Sequence, residues 1–135
     1  MIIIGENLMN LALWIGTGLL ALVALAGGGI KTFTPQEKLA ASPGGRWTGD
    51  FSAGAVKALG VLEILAAAGL ILPAVTGIAP VLVPVTAVCW ALLMVGAMIT
   101  HVRRGEFPFA VLNLVYLVLA AFIAWGRFGP GSFGG

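Results

Sequence analysis

One acidic side chain stands in the middle of a long apolar run: Glu63, within residues 54–72. An ionised carboxylate at the centre of a bilayer costs at least about 2.5 kcal/mol, so a carboxyl there needs a cation or a set of hydrogen-bonding partners. On a helix, Gly60 and Ala67 share the face of Glu63 at spacings of three and four, with Ala66 adjacent. That stripe of small residues lets a second helix approach closely, which turns Glu63 toward a bundle interior and away from lipid. Lys57 is the nearest basic residue on the same helix, yet six positions place it about 120° around the axis and about 9 Å along it. A direct pair within the helix is therefore not expected. Lys57 has two readings, a lysine snorkelling to the interface or one turned inward to hold a polar network or an anionic ligand.

The last apolar run supplies nearer candidates. Asn113, Tyr116, Ala120, Ala124 and Arg127 fall on one stripe at spacings of three and four. Tyr116 lies nearly as deep as Glu63, so a contact of Glu63 with Tyr116 or Asn113 is expected across helices. It would serve either as a structural lock worth about 0.6–2 kcal/mol or as a ligand or proton site. His101, Arg103 and Arg104 cluster at the end of the third run, where an anionic lipid head group or a ligand's polar ring is the expected contact. Asn10, Thr17, Ala24 and Gly28 form a polar and small stripe on the first run and read as packing surface. Cys89 reads as a small apolar residue, and Trp47 as an anchor at the membrane surface.

The elements that position these groups follow from composition. Of 135 residues, 60% are hydrophobic, seven are Lys or Arg and five are Asp or Glu, and the mean hydropathy is +1.09. Ordinary soluble domains are about a quarter charged, so the chain reads as an all-α, polytopic membrane protein. Four runs, about 8–30, 54–72, 78–100 and 109–125, are each long enough to cross a hydrocarbon core of about 30 Å. They predict a single four-helix transmembrane domain over residues 1–128, followed by a flexible Gly-rich tail over 129–135. The first run lacks a basic segment before it and is longer than the core of a signal peptide, so it reads as a retained helix.

Thr34-Pro35-Gln36-Glu37 has the form of a capping box with Pro at the first helical position. It predicts a short interfacial helix through about Ala41 inside an ordered first loop. Pro80 and Pro84 fall in the opening turns of the third helix, with a kink expected at Pro84, and Pro108 falls in the first turn of the fourth. Lys31, Lys38 and Arg46, and then Arg103 and Arg104, lie in loops on one side, against Arg127 alone on the other. Short basic loops stay in the cytoplasm, so loops 31–53 and 101–108 are expected inside and both termini outside, with Trp14 and Trp125 near the outer interface.

One Cys excludes an internal disulfide, and one His with scattered acids argues against a metal or bis-histidine haem site. No covalently held or metal-ligated cofactor is expected; a quinone or lipid remains open. A net charge of +2 with membrane-flanking basic residues gives no case for nucleic acid. Membrane lipids and a homo-oligomeric or oxidoreductase partner are the expected associates.

The second run, Lys57-Ala58-Leu59-Gly60-Val61-Leu62-Glu63 followed by Ala68-Gly69-Leu70-Ile71-Leu72-Pro73, resembles the characteristic segment of the DoxX-like family of four-helix bacterial membrane proteins. Gly96-Ala97 leading to His101-Val102-Arg103-Arg104-Gly105-Glu106, and Trp125-Gly126-Arg127-Phe128, are similar to the same family's third and fourth helices. The resemblance covers about residues 8–128 and implies a four-helix bundle in the bacterial inner (cell) membrane. Lys57, Gly60 and Glu63 are the positions that match its motif, and nothing in the match supplies a cofactor ligand. Some relatives are membrane subunits of quinone-linked complexes, which implies an accessory or scaffold subunit with no enzymatic activity of its own when isolated. Two alternatives stay open: binding of a quinone, lipid or other hydrophobic molecule within the bundle at Glu63, and a small proton-coupled transporter. The glutamate's place in the second helix and the one-sided charge distribution oppose transport, because small exporters of that kind carry theirs in the first helix and insert both ways.

Overall fold

Backbone N–H and C=O groups in hydrocarbon have no water to pair with, so each apolar run must close its own hydrogen bonds as a helix. The computed structural model describes residues 2–133, and over them the chain forms α1 (Ile2–Phe33), α2 (Gln36–Ala41), a 3₁₀ stretch (Pro43–Asp50), α3 (Ala53–Thr76), α4 (Leu82–Arg103) and α5 (Phe107–Phe128). Four of these, α1, α3, α4 and α5, are long and apolar enough to span a membrane. The helices outrun the predicted spans at most ends, because flanking polar residues extend a helix into the interfaces. Pro73 does not end α3, which continues to Thr76 and closes on Gly77 in the left-handed region (φ 71°). In a membrane a helix tolerates the one bond lost at proline better than it tolerates a broken backbone. The third span begins at Leu82, so Pro80 precedes it. Pro84 is its third residue, where the amide has no intrahelical partner to lose, and it needs no kink.

Two hairpins build the bundle: α1 packs along α3, and α4 along α5. The α1–α3 seam is set by glycine. A Cβ on Gly28 would sit 2.6 Å from the Gly60 carbonyl oxygen, and one on Gly60 would sit 2.8 Å from that of Gly28, so the two backbones touch where only hydrogen fits. Gly28 thus confirms the packing role expected of its stripe. The hairpins meet in the half of the bundle nearer the termini. There Leu20, Ala24, Ala67, Leu70, Ala87, Ala120 and Ile123 form the buried core, and Gly69 lies against Thr86. The opposite, outward faces expose Leu11, Ile15, Leu22, Leu62, Leu65 and Val118, as a lipid-facing surface requires.

At the termini end, Arg127 is buried. Its guanidinium donates to the Asn10 side-chain oxygen at 2.9 Å and to the Gly131 carbonyl at 2.8 Å, and lies 4.0 Å from the centroid of Phe133. The chain is therefore folded back through Phe133, where composition alone predicts a flexible tail; 134 and 135 lie outside the described residues. Both hydrogen bonds come from Nη1, while Nε and Nη2 are buried without an acceptor among the described residues; the stacked ring and the Gly131 carbonyl together hold the segment against the guanidinium.

At the other end, the loop between α1 and α3 is ordered as expected, though by different bonds. No side chain caps α2. Instead the Gln36 amide donates to the carbonyls of Thr48 and Phe51, tying the start of α2 to the end of the 3₁₀ stretch. Leu39, Gly45 and Thr48 are buried within this unit, and a Cβ on Gly45 would collide with the Leu39 carbonyl. The unit lies across the loop end of the bundle.

Candidate functional site

Between the loop-end halves of the two hairpins is a cavity of about 900 Å³, lined by residues of α1, the 3₁₀ stretch, α3, α4 and α5. Most of its wall is apolar. The polar exceptions are Lys31, Glu63, Trp90, Thr100, His101, Asn113 and Tyr116. Apolar walls with a few convergent polar groups are the usual build of a small-molecule site.

Glu63 is 5% exposed and pairs with Lys31, near the end of α1. The ammonium donates to Oε1 at 3.2 Å and stands 3.0 Å from Oε2, off the direction that would make a hydrogen bond to that second oxygen. Gly27 lies beside the pair, where a Cβ would be in ordinary contact with the Lys31 nitrogen at 3.5 Å and the Glu63 oxygen at 3.6 Å. The indole of Trp47 lies on the other side of the ammonium, 6.0 Å from nitrogen to ring centroid. This pair removes the net charge that a lone carboxylate would bring into the bundle and leaves the cavity wall electrically neutral at that point.

The expected contact of Glu63 with Asn113 or Tyr116 is not made. All three line one cavity, from opposite walls. The Asn113 side-chain nitrogen is buried without an acceptor among the described residues, and so is the indole nitrogen of Trp90, a residue only 2% exposed. Buried donors normally have partners, and an unmet one costs about 1–3 kcal/mol. Trp90, Asn113 and Glu63, which carry these two unmet donors and the under-used carboxylate oxygen, all line the one apolar cavity; the three atoms lie just beneath its surface, so an oxygen-bearing molecule would meet them after a turn of the side chains.

Lys57 does not reach the cavity. Its ammonium donates to the Thr32 carbonyl at 3.0 Å, near the C-terminus of α1, where unpaired carbonyls and the helix dipole favour a cation. His101 is buried and does line the cavity; its Nδ1 is 3.0 Å from the Glu106 carboxylate, and its ring is tilted against Phe109 at 5.4 Å. Gly105, at φ 71°, makes the turn that returns Glu106 to His101, whose carbonyl accepts the Glu106 amide at 2.8 Å. Arg104 bridges Asp50 of the 3₁₀ stretch, at 2.6 Å, and Glu106, at 3.3 Å. It links the loop unit to the end of α4. Arg103 is exposed, outside the cavity. Trp47 is half-buried and edge-on to Phe51 at 5.8 Å, and both rings line the cavity. Gly60, the middle motif position, is a helix-contact residue.

Lys31 and Trp90 are the site residues that sequence reading missed. Lys31 looked like the boundary of a span, and Trp90 like one more apolar residue in an uncharged one. The seam of Gly28 on Gly60 is the signal that would have found Lys31, because it sets the register that brings the end of α1 beside Glu63.

The profile of the DoxX-like family matches residues 15–123, a stretch that holds every cavity-lining residue named above. No curated protein and no solved structure matches the chain.

Proposed function

Because the chain belongs to the DoxX-like family, and because its polar residues gather on one apolar cavity, we propose that it is a membrane protein that binds a hydrophobic small molecule, a quinone or a lipid-like compound, inside the bundle. The observation that carries this reading is the pair of unmet donors, the Trp90 indole N–H and the Asn113 amide N–H, beside a neutralised Lys31–Glu63 pair. Those donors ask for acceptors, so the ligand carries carbonyl, ether or ester oxygens. Charge balance on the wall favours a neutral head group over an ion.

Binding is favoured over transport. The termini half of the bundle is a packed core, and the cavity occupies the loop half, so Glu63 has one accessible side. The exposed cations Lys38, Arg46 and Arg103 ring the loop end, which supports its placement in the cytoplasm of a bacterial cell with both termini outside. That ring also suits an accessory subunit that presents its ligand to an oxidoreductase at the cytoplasmic surface.

A short-chain benzoquinone tests the binding. It should quench tryptophan fluorescence in the purified protein with saturation, and Asn113→Leu should weaken its apparent affinity about tenfold, the value of a charge-neutral hydrogen bond plus a desolvated partner. Glu63→Gln, which keeps the shape and removes the ion pair, should shift the affinity as well. Non-saturating quenching with equal slopes in wild type and both variants would remove this reading.

A further inference from the structure

The loop end of the cavity, the side nearest water, is covered. Trp47 stands over Lys31, Gly44 lies against the Phe109 ring, and the Asp50–Arg104 bridge fastens the end of the 3₁₀ stretch to α4. The termini end is the packed core. What remains are the two flanks where the hairpins part toward the loops: α1–α5, where Ile30 and Leu112 line the cavity and also face outward, and α3–α4, whose rim includes a glycine with open space in place of a side chain and is therefore the wider of the two. α3 and α4 touch near the termini end, at Gly69 and Thr86, as α1 and α5 do at Gly16 and Leu119, and the cavity lies between the hairpins toward the loops. Along the α3–α4 gap, several residues line the cavity while also facing outward. Leu92 on α4 is 68% exposed, Gly96 one turn later is exposed with open space where a Cβ would be, and on α3 the half-buried Leu59 lies at the depth of Gly96, with the exposed Ala55 one turn nearer the loops. Gly96 is seven residues before the end of α4, about 10 Å along the axis, which is hydrocarbon depth in a bilayer core of about 30 Å.

We propose that the ligand enters and leaves sideways, from the hydrocarbon core of the membrane through the gap between α3 and α4, with Leu92 and Gly96 as its rim. This rests on the cavity being a ligand site, and it narrows the ligand to an amphiphile dissolved in the bilayer: a neutral, oxygen-bearing head held between Trp90, Asn113 and Glu63, and an apolar tail that runs out between α3 and α4 into lipid. A water-soluble metabolite, even one with suitable acceptors, has no comparable path. The rim is apolar at the depth where the chain would cross it, so an alkyl or prenyl tail replaces lipid there without stranding a polar group.

The test uses the full chain in lipid nanodiscs and two photoreactive probes. One is a long-chain fatty acid methyl ester with a diazirine in its chain, delivered from vesicles; the other is a small water-soluble diazirine. After a brief exposure and illumination, labelled residues are mapped by mass spectrometry. The lipid-borne ester should label Trp90 and Met94, both buried by protein and both on the cavity wall, and the aqueous probe should not. Gly96→Phe, which fills the rim from a position with room for a side chain, should cut that labelling several-fold, and Leu92→Ala should raise it. Should Gly96→Phe not fold, Leu92→Ala alone still tests the route. Cavity labelling by the ester that is unchanged in both variants, or that responds to Leu112→Phe on the α1–α5 flank instead, would overturn the route and leave the cavity site standing. Labelling of Trp90 by the aqueous probe as strongly as by the ester would overturn the lipid-phase ligand. Absence of cavity labelling by either probe would overturn the inference together with the binding function.

Discussion

Lys31→Met should destabilise the protein by about 3–5 kcal/mol, the cost of leaving one member of a buried ion pair without its partner. Glu63 is 5% exposed, and the Lys31 ammonium is the only cation within bonding distance of it among the described residues. With the ammonium gone, the carboxylate has apolar walls around it and must either remain charged there or take up a proton. The double replacement Lys31→Met with Glu63→Leu removes both charges and should recover most of the loss, since well-packed apolar groups often replace a buried pair without penalty. Unfolding in detergent micelles, followed by circular dichroism across a denaturant series, gives the three stabilities. A single variant as stable as wild type would mean that Glu63 finds another partner, with Asn113 and Tyr116 across the cavity as the candidates.

The second large effect lies at the hairpin seam. Gly60→Val should cost more than the about 1–3 kcal/mol typical of overpacking. The atoms its Cβ would meet are the Thr32 hydroxyl at 2.6 Å and backbone atoms of Gly28 and Thr32 at 2.8 Å, and backbone cannot swing aside. The expected result is loss of the folded monodisperse species in size-exclusion chromatography, or a sharply lowered melting temperature where folding survives. By contrast Gly96→Ala, where a Cβ meets nothing, should be neutral or slightly stabilising because alanine favours the helix. Gly60→Ala, which brings only the Cβ against those atoms, gives the like-for-like comparison and should be far more costly than Gly96→Ala. Equal tolerance at Gly60 and Gly96 would contradict the seam.

The architecture was legible because hydrocarbon imposes so few solutions. Four long apolar runs had to be helices, and short connections made their neighbours antiparallel. Span ends were less legible, since Pro73 and the interfacial turns obey membrane context more than local propensity. The chemistry of Glu63 was half legible. Its depth, its small-residue face and its need for a partner followed from position alone, but the partner did not. Side chains on a helix lean toward its N-terminus. In the antiparallel α1–α3 hairpin, Lys31 therefore leans away from the loop end and Glu63 leans toward it. A pair that looks too far apart by axial rise closes to 3.0 Å. Asn113 and Tyr116, picked out by their stripe on α5, line the cavity, and the space between them and Glu63 is a cavity and not a contact. No spacing rule reveals an empty volume, because it depends on where two hairpins part. In the Gly-rich tail, the contact of Arg127 with Phe133 is likewise one that composition does not encode.

The most direct test is the electron density of the protein crystallised from a lipidic phase. An elongated feature is expected in the cavity, its polar end within hydrogen-bonding distance of the Trp90 indole nitrogen and the Asn113 amide and beside the Lys31–Glu63 pair, its tail passing Gly96 between α3 and α4. A cavity closed by the approach of α4 to α3, or one filled by ordered water bonded to Trp90 and Asn113, would contradict it.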